Sequence, residues 1–404
     1  MSRVPASRGG IWCLVLSLAA PALGATTREA LPVDDLRENA LQRLVGQNFK
    51  LKRTAHFVIA YDTTTELVES LTIRLEATCA AIYRFCEYQG IVPRKPGQRL
   101  EVLFFNEQTA YERYCATIGF RPEGTYGVYH ELSNRSAFFN IENAPQIVAM
   151  QASVLAARRN LDELSQAVKN IRDRRTIVEI EFGDGQRRRL TRREVDREIA
   201  QTRKKLQELD GRRSAYTNHI NLTVIQHETA HQVLYNARVH ARGASNPPWL
   251  VEGLACLFET PPGKTGAGFA AINQLRLQDF RNAVAGDGPA GNLNAADFLE
   301  AVEAGRIASP REIVLKPELL RRPGPNRATH YAAAWALTTY LQRVHGNKLA
   351  GCLQEIARRT PGRNVTPQEE LELFERHFGP MDETFLRRFA TYLLNLPVIG
   401  IGVG

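Results

Sequence analysis

Cysteine is scarce in this 404-residue chain, which has only six. Cys13 lies in an N-terminal apolar run, which leaves Cys79, Cys86, Cys115, Cys256 and Cys352. An odd set with no close spacing excludes a disulfide framework. No CxxC occurs, so a cysteine metal site is excluded as well, and all five read as small buried residues. Long apolar runs are absent beyond the N-terminus, which excludes a multi-pass membrane protein. No GxSxG is present, so there is no serine-hydrolase elbow. Gly263-Lys264-Thr265 resembles the end of a phosphate loop, but Phe258 stands where the first glycine is required, so the segment reads as a turn. No internal repeat is found. What remains is 44% hydrophobic and 24% charged, an ordinary globular composition with room for one large or two modest domains.

The first 24 residues read as an export signal. Arg3 and Arg8 precede the apolar run Ile11 to Gly24, which ends in small residues before Ala25. The run contains Pro21 and is short for a bilayer span. An uncleaved anchor is the alternative. The mature chain is therefore expected to be exported, periplasmic or extracellular, with no transmembrane span.

Segment 25–50 reads as a polar leader helix. Region 51–145 reads as a small α/β unit. Its elements are a strand at His56 to Tyr61, a long amphipathic helix from Thr65 to Tyr88, a strand at Leu100 to Phe105 and a short helix around Thr109 to Thr117. Two further strands follow, Thr125 to Tyr129 and Ser136 to Ile141. Ser136 to Ile141 is the candidate edge strand, with an interior strand as its alternative.

Region 146–215 differs in kind. Ile147, Met150, Val154, Ala157, Leu161, Leu164, Val168 and Ile171 are spaced three and four apart, a heptad seam. Val195, Ile199, Thr202, Leu206 and Leu209 repeat the rhythm. Thr176 to Phe182 and Arg187 to Thr191 flank the turn Gly183-Asp184-Gly185. An inserted antiparallel coiled-coil arm with a β-hairpin tip is expected, available to a protein partner. Residues 158–215 hold 17 Lys/Arg against 11 Asp/Glu, a large share of the chain's +9 net charge. Arg187-Arg188-Arg189 suit an anionic surface, but acids alternate with the arginines and no aromatics interleave. A solvated helical face is the preferred reading, and no nucleic-acid partner is expected. Regions 216–345 and 346–404 read as a helical core and a C-terminal helical region. Helices are expected at Tyr331 to Arg343, Lys348 to Arg359, Pro367 to His377 and Met381 to Leu396.

One motif dominates the chemistry: His227-Glu228-Thr229-Ala230-His231. On a helix, His227 and His231 face the same way and can share one Zn²⁺. Glu228 adjoins the first histidine, where its carboxylate can take a proton from the attacking water and deliver it to the leaving amine. Such a motif arises by chance in on the order of one chain in a hundred of this length. The continuation strengthens it. Leu234 and Ala237 exclude the HExxHxxGxxH pattern, but Pro247-Pro248-Trp249-Leu250-Val251-Glu252-Gly253-Leu254-Ala255 offers a helix-borne carboxylate. Twenty residues separate Glu252 from His231, enough for a helix end, a loop and a helix start. Glu259 could buttress a ligand histidine, or be an exposed or capping acid. Cys256 reads as a packing residue.

HETAH followed by PPWLVEGLA resembles the gluzincin zinc metallopeptidases. More narrowly it is similar to secreted bacterial peptidase-MA-like proteins with a W-x-x-E-G-x-A third-ligand helix. The resemblance is close over about 215–260. It implies His227, His231 and Glu252 as ligands of one Zn²⁺ per chain, with Glu228 as the catalytic base. It also implies an α+β, zincin-like fold, with a small N-terminal mixed sheet and a helical C-terminal part around the site. Gluzincins often use a downstream Tyr or His to stabilise the oxyanion. His330-Tyr331 is the candidate pair, with Tyr331 preferred. The expected function is an exported zinc peptidase acting on a peptide or protein substrate. The alternative is a weakly catalytic zinc-binding scaffold working through its arm.

Overall fold

The computed structural model describes residues 34–398 except 123, 182–186, 261–268, 270 and 322–323, and of 218, 219 and 222 the backbone alone. The signal expected at 1–24, the Gly183–Gly185 turn and the end of the tail lie outside the described residues.

The chain is a mixed α+β protein. Helix α1 (Asp35–Val45) is followed by strands β1 (Lys50–Arg53) and β2 (Phe57–Tyr61), helix α2 (Thr65–Tyr88), strand β3 (Leu100–Phe105) and helix α3 (Gln108–Thr117). Strands β4 (Gly127–His130) and β5 (Arg135–Phe139) complete a sheet of order β1-β2-β3-β5-β4. The central pairs β2/β3 and β3/β5 are parallel, and the outer pairs are antiparallel. Helix α2 makes the crossover that parallel pairing of β2 and β3 requires. Phe57, Ile59, Val102 and Phe104 enter one core, and Val58, Ala60, Leu103 and Phe105 the other. Burial on both faces explains why β2 and β3 read as unbroken apolar runs.

Two expectations are corrected here. The leader is not one helix through residue 50, because α1 ends at Val45 and β1 follows. The β1 sequence KLKR hides a strand, since charged residues are what a sheet edge carries. The Ser136 to Ile141 region is not the edge: β5 lies between β3 and β4, and β4 is outermost. Phe138 and Phe139 are buried on opposite faces, as suits an interior strand.

Helices α4 (Pro145–Val168) and α5 (Arg192–Asn236) flank a hairpin of β6 (Ile177–Glu181) and β7 (Arg187–Thr191). Arg192 reaches the Val168 carbonyl, Arg158 meets Asp210, and Ile147 shares a core with Ile220. The two helices therefore run antiparallel. Leu164, Val168, Ile180, Val195 and Ile199 form a separate small core at the hairpin end. Ile171, the last residue of the expected seam, lies beyond the end of α4. Thr191 and Glu194 form a capping box that starts α5. The 45 residues of α5 run without a break from the hairpin into the HETAH segment.

The C-terminal part is helical. Its helices are α6 (Pro248–Phe258), α7 (Gln274–Ala285), α8 (Ala295–Glu303), α9 (Pro310–Leu315), α10 (Glu318–Arg321), α11 (Arg327–Val344), α12 (Gly346–Ala357), α13 (Pro367–Phe378) and α14 (Glu383–Leu394). Every residue of α11 from Tyr331 to Gln342 is buried, which makes it the hub. Its small side chains admit close neighbours. A Cβ on Gly253 of α6 would lie 2.7 Å from the Ala334 carbonyl oxygen. Among the described residues, no helix is long and apolar enough to cross a membrane.

Candidate metal centre

Helix α5 presents His227 and His231 on one face, and their rings meet edge to face with centroids 4.6 Å apart. After α5 the chain turns through residues 237–247, where the Asn246 side chain bonds both the amide and the carbonyl of Ala241. Pro248 then opens α6, which carries Glu252 back towards α5. The Nε2 atoms of the two histidines are 3.0 Å apart. Glu252 Oε2 lies 3.0 Å from His227 Nε2 and 3.4 Å from His231 Nε2.

These distances and the protonation they imply argue for a cation. Nδ1 of His227 lies 3.0 Å from Glu259 Oε1. Burial alone would raise the Glu259 pKa, but the Arg276 charge and the His227 hydrogen bond bring it down to about 2. Glu259 is thus ionised and can only accept, so Nδ1 carries a proton. In the neutral ring Nε2 is then a bare lone pair. It faces a carboxylate oxygen and a second ring nitrogen, a convergence that only a proton or a metal cation relieves. Burial opposes charge on His227, but hydrogen bonds to Cys256, Glu252 and Glu259 outweigh it and raise the pKa well above the usual value. Burial likewise opposes charge on Glu252, and His231 and His227 hold it far below the ordinary carboxylate range. Separations of 3.0, 3.0 and 3.4 Å fit the roughly 3.3 Å edge of a tetrahedron with zinc-like arms. The donor set therefore fits a metal ion.

A second group, His227, Cys256 and Glu259, also satisfies the geometry of a metal site. Arg276 already occupies its charge position, with Nη2 at 2.7 Å and Nε at 2.9 Å from the Glu259 carboxylate. Asn273 adds a bond at 2.8 Å. Burial pushes the Cys256 thiol up to about 11, so it stays protonated. This group instead orients His227 from behind, which is the buttress role open to Glu259 in the sequence.

Of the remaining expected residues, Glu228 and Tyr331 line one cleft of about 540 Å³. Glu228 lines it, with Oε2 accepting from the Tyr129 backbone N–H of β4 at 2.7 Å. Tyr331 lines it too, its ring centroid 5.8 Å from that of His227. Burial raises the Tyr331 pKa, so the phenol keeps its proton. His330 faces away and donates from Nδ1 to the Leu319 carbonyl at 2.9 Å. Of the two candidates, only Tyr331 reaches the cleft.

Several contributors carry no local sequence signal. Arg327 lines the cleft and reaches the Tyr331 hydroxyl at 3.3 Å. Gln232, fully buried, donates to the Glu101 and Asn134 carbonyls and accepts from Ser136, fastening α5 to the sheet. At Gly127 a Cβ would lie 2.7 Å from Val224, so glycine lets β4 approach α5 beside Glu228. All five cysteines among the described residues are free and buried, as expected.

No curated protein and no solved structure matches the chain. Residues 221–362, the stretch holding His227, Glu228, His231, Glu252 and Tyr331, match a family model described as protein of unknown function (DUF1570).

Proposed function

We propose that this chain is a zinc-dependent peptidase of gluzincin type. The observation that carries the reading is the convergence of His227 Nε2, His231 Nε2 and Glu252 Oε2 beside Glu228 in one cleft. When bound, zinc would supply Lewis acidity to water and to the scissile carbonyl. Glu228 takes the proton of the attacking water and returns it to the leaving amine. The Tyr129 N–H restrains its carboxylate at the cleft wall. Tyr331, protonated and buried, donates to the developing oxyanion.

The outer edge of β4 offers backbone groups to an extended peptide substrate. An edge strand beside a motif-bearing helix, with a third ligand on the next helix, supports a zincin-like reading of the fold. The N-terminal apolar run supports export. The pairing of α4 with α5 supports a coiled-coil arm that contacts a protein partner.

The test is metal content and peptide-library hydrolysis by the full chain, beside Glu228→Gln and Glu252→Ala. About one zinc per chain is expected, lost in Glu252→Ala and kept in Glu228→Gln, with hydrolysis lost in both. No metal uptake, or hydrolysis surviving in Glu228→Gln, overturns the reading. Zinc binding without hydrolysis of any peptide would favour the scaffold.

A further inference from the structure

A second cavity lies behind the metal centre, at the C-terminal end of α5. It measures about 750 Å³ and is larger than the cleft. Six arginines line it, from four separate stretches of chain: Arg37, Arg94, Arg99, Arg238, Arg242 and Arg359. Among the described residues, no aspartate or glutamate lines it.

Some of this charge is neutralised. Arg37 pairs with Glu101 at 2.6 Å, and Arg359 pairs with Glu370 at 2.6 Å. Glu131 lies nearby, its carboxylate taken by the Gly243 N–H. The C-terminal ends of α5 and α12 contribute roughly half a negative charge each. Against six arginines, these leave a surplus of about two positive charges. Compensation of helix ends therefore does not account for the cluster.

Three of the guanidinium groups have donors to spare. Among the described residues, Arg94 and Arg238 are exposed and make no side-chain hydrogen bond or ion pair. Arg242 donates to neutral acceptors: the Glu131 carbonyl, the Tyr129 hydroxyl and Asn134 Oδ1. Arg238 also sits at φ +61°, where a helix ordinarily ends in glycine.

The second observation is independent of charge. His240 lines the same cavity with 1% of its surface exposed. Among the described residues, neither of its ring nitrogens has a hydrogen-bond partner. A buried polar side chain left unpaired on both sides is costly. Tyr235 packs on its ring at 5.1 Å between centroids and gives the cavity an apolar wall.

We propose that this arginine-lined cavity binds a small polyvalent oxyanion, an organic phosphate or sulfate, held by Arg94, Arg238 and Arg242. Guanidinium forks suit tetrahedral oxyanions because they offer paired donors in a fixed plane. The volume suits a ligand of nucleotide or sugar-phosphate size.

The test is isothermal titration of the full chain with inorganic pyrophosphate, and with sulfate in parallel. Saturable one-site binding is expected. Arg94→Gln with Arg238→Gln should weaken it at least about tenfold, since each removes a charge-assisted contact. Both positions are exposed, so the fold is retained. Arg188→Gln with Arg189→Gln on the β-hairpin should leave binding unchanged. Glu252→Ala should also leave it unchanged, which separates this cavity from an anion held at the metal centre. No saturable binding overturns the proposal. So does binding lost in the hairpin variant or in Glu252→Ala, or binding insensitive to the Arg94/Arg238 pair. Failure here leaves the peptidase reading untouched, because Glu228 and the metal ligands lie in the other cavity.

Discussion

Glu259 accepts the Nδ1 proton of His227 at 3.0 Å while Arg276 grips the same carboxylate from the other side. The chain Arg276–Glu259–His227 fixes the tautomer that leaves Nε2 free for a cation. Glu259→Gln should therefore weaken zinc affinity about 10- to 100-fold, read by competition with a chelating dye. It should also destabilise the fold, because Arg276 loses its closest countercharge and keeps only Asp279 at 4.0 Å. Adding Arg276→Gln should recover stability and leave zinc affinity low. Unchanged affinity in both variants would mean that the carboxylate serves packing alone.

Gly253 adjoins Glu252 and lies against α11. A methyl group there would sit 2.7 Å from the Ala334 carbonyl oxygen and press on Thr338. Gly253→Ala should cost about 1–3 kcal/mol through overpacking, read as a lower urea midpoint. Thr338→Ala in the same chain should recover part of that loss. An unchanged midpoint would show that α6 and α11 separate easily, and that Glu252 is held less firmly than its position implies.

The two histidines and the acid between them were legible through helical spacing, and the third carboxylate through the PPWLVEGLA segment that follows. His227 and His231 share a helix face, and Glu252 sits in the second turn of a helix announced by Pro247-Pro248. Strand β3 and helix α2 were legible because their patterns are unbroken. What stayed hidden depends on partners far away in the chain. Arg276 is unremarkable on α7 until Glu259 is beside it. Gln232 reads as a polar helix residue, yet it is fully buried between the Glu101 and Asn134 carbonyls. The order of β4 and β5 was hidden as well, because it depends on which of them pairs with the distant β3. The continuity of α5 was obscured by Gly211 and by the change from charged to apolar composition. Propensity weakens at a glycine, but neighbouring turns carry the helix across.

His240 sets a pH dependence. Burial, with His231 nearby, lowers its pKa to about 3. The unfolded chain takes up a proton near pH 6.5, and the folded chain resists it. Its contribution to stability is therefore complete above about pH 6.5 and is lost as pH falls towards 3. Between pH 7 and 4.5, in buffer without phosphate or sulfate, the urea midpoint should fall more steeply for the wild type than for His240→Asn. Parallel curves would show that the imidazole is protonated in the folded state.

Tyr331 and His330 are adjacent in sequence and turn to different partners. Burial keeps the Tyr331 phenol protonated in the cleft, with Arg327 at 3.3 Å from its oxygen and the His227 ring alongside. His330 spends its Nδ1 proton on the Leu319 carbonyl, which docks α10 on the start of α11. If Tyr331 donates to the oxyanion, the hydrogen bond strengthens as charge develops, and its loss falls on kcat rather than KM. Tyr331→Phe should lower kcat by about 10²- to 10³-fold, the usual cost of one oxyanion donor, with zinc content and KM retained. His330→Gln should leave kcat near wild type and lower thermal stability instead. Equal activity in Tyr331→Phe and wild type would remove the phenol from the mechanism and leave Arg327, which lines the cleft beside it, to meet the oxyanion.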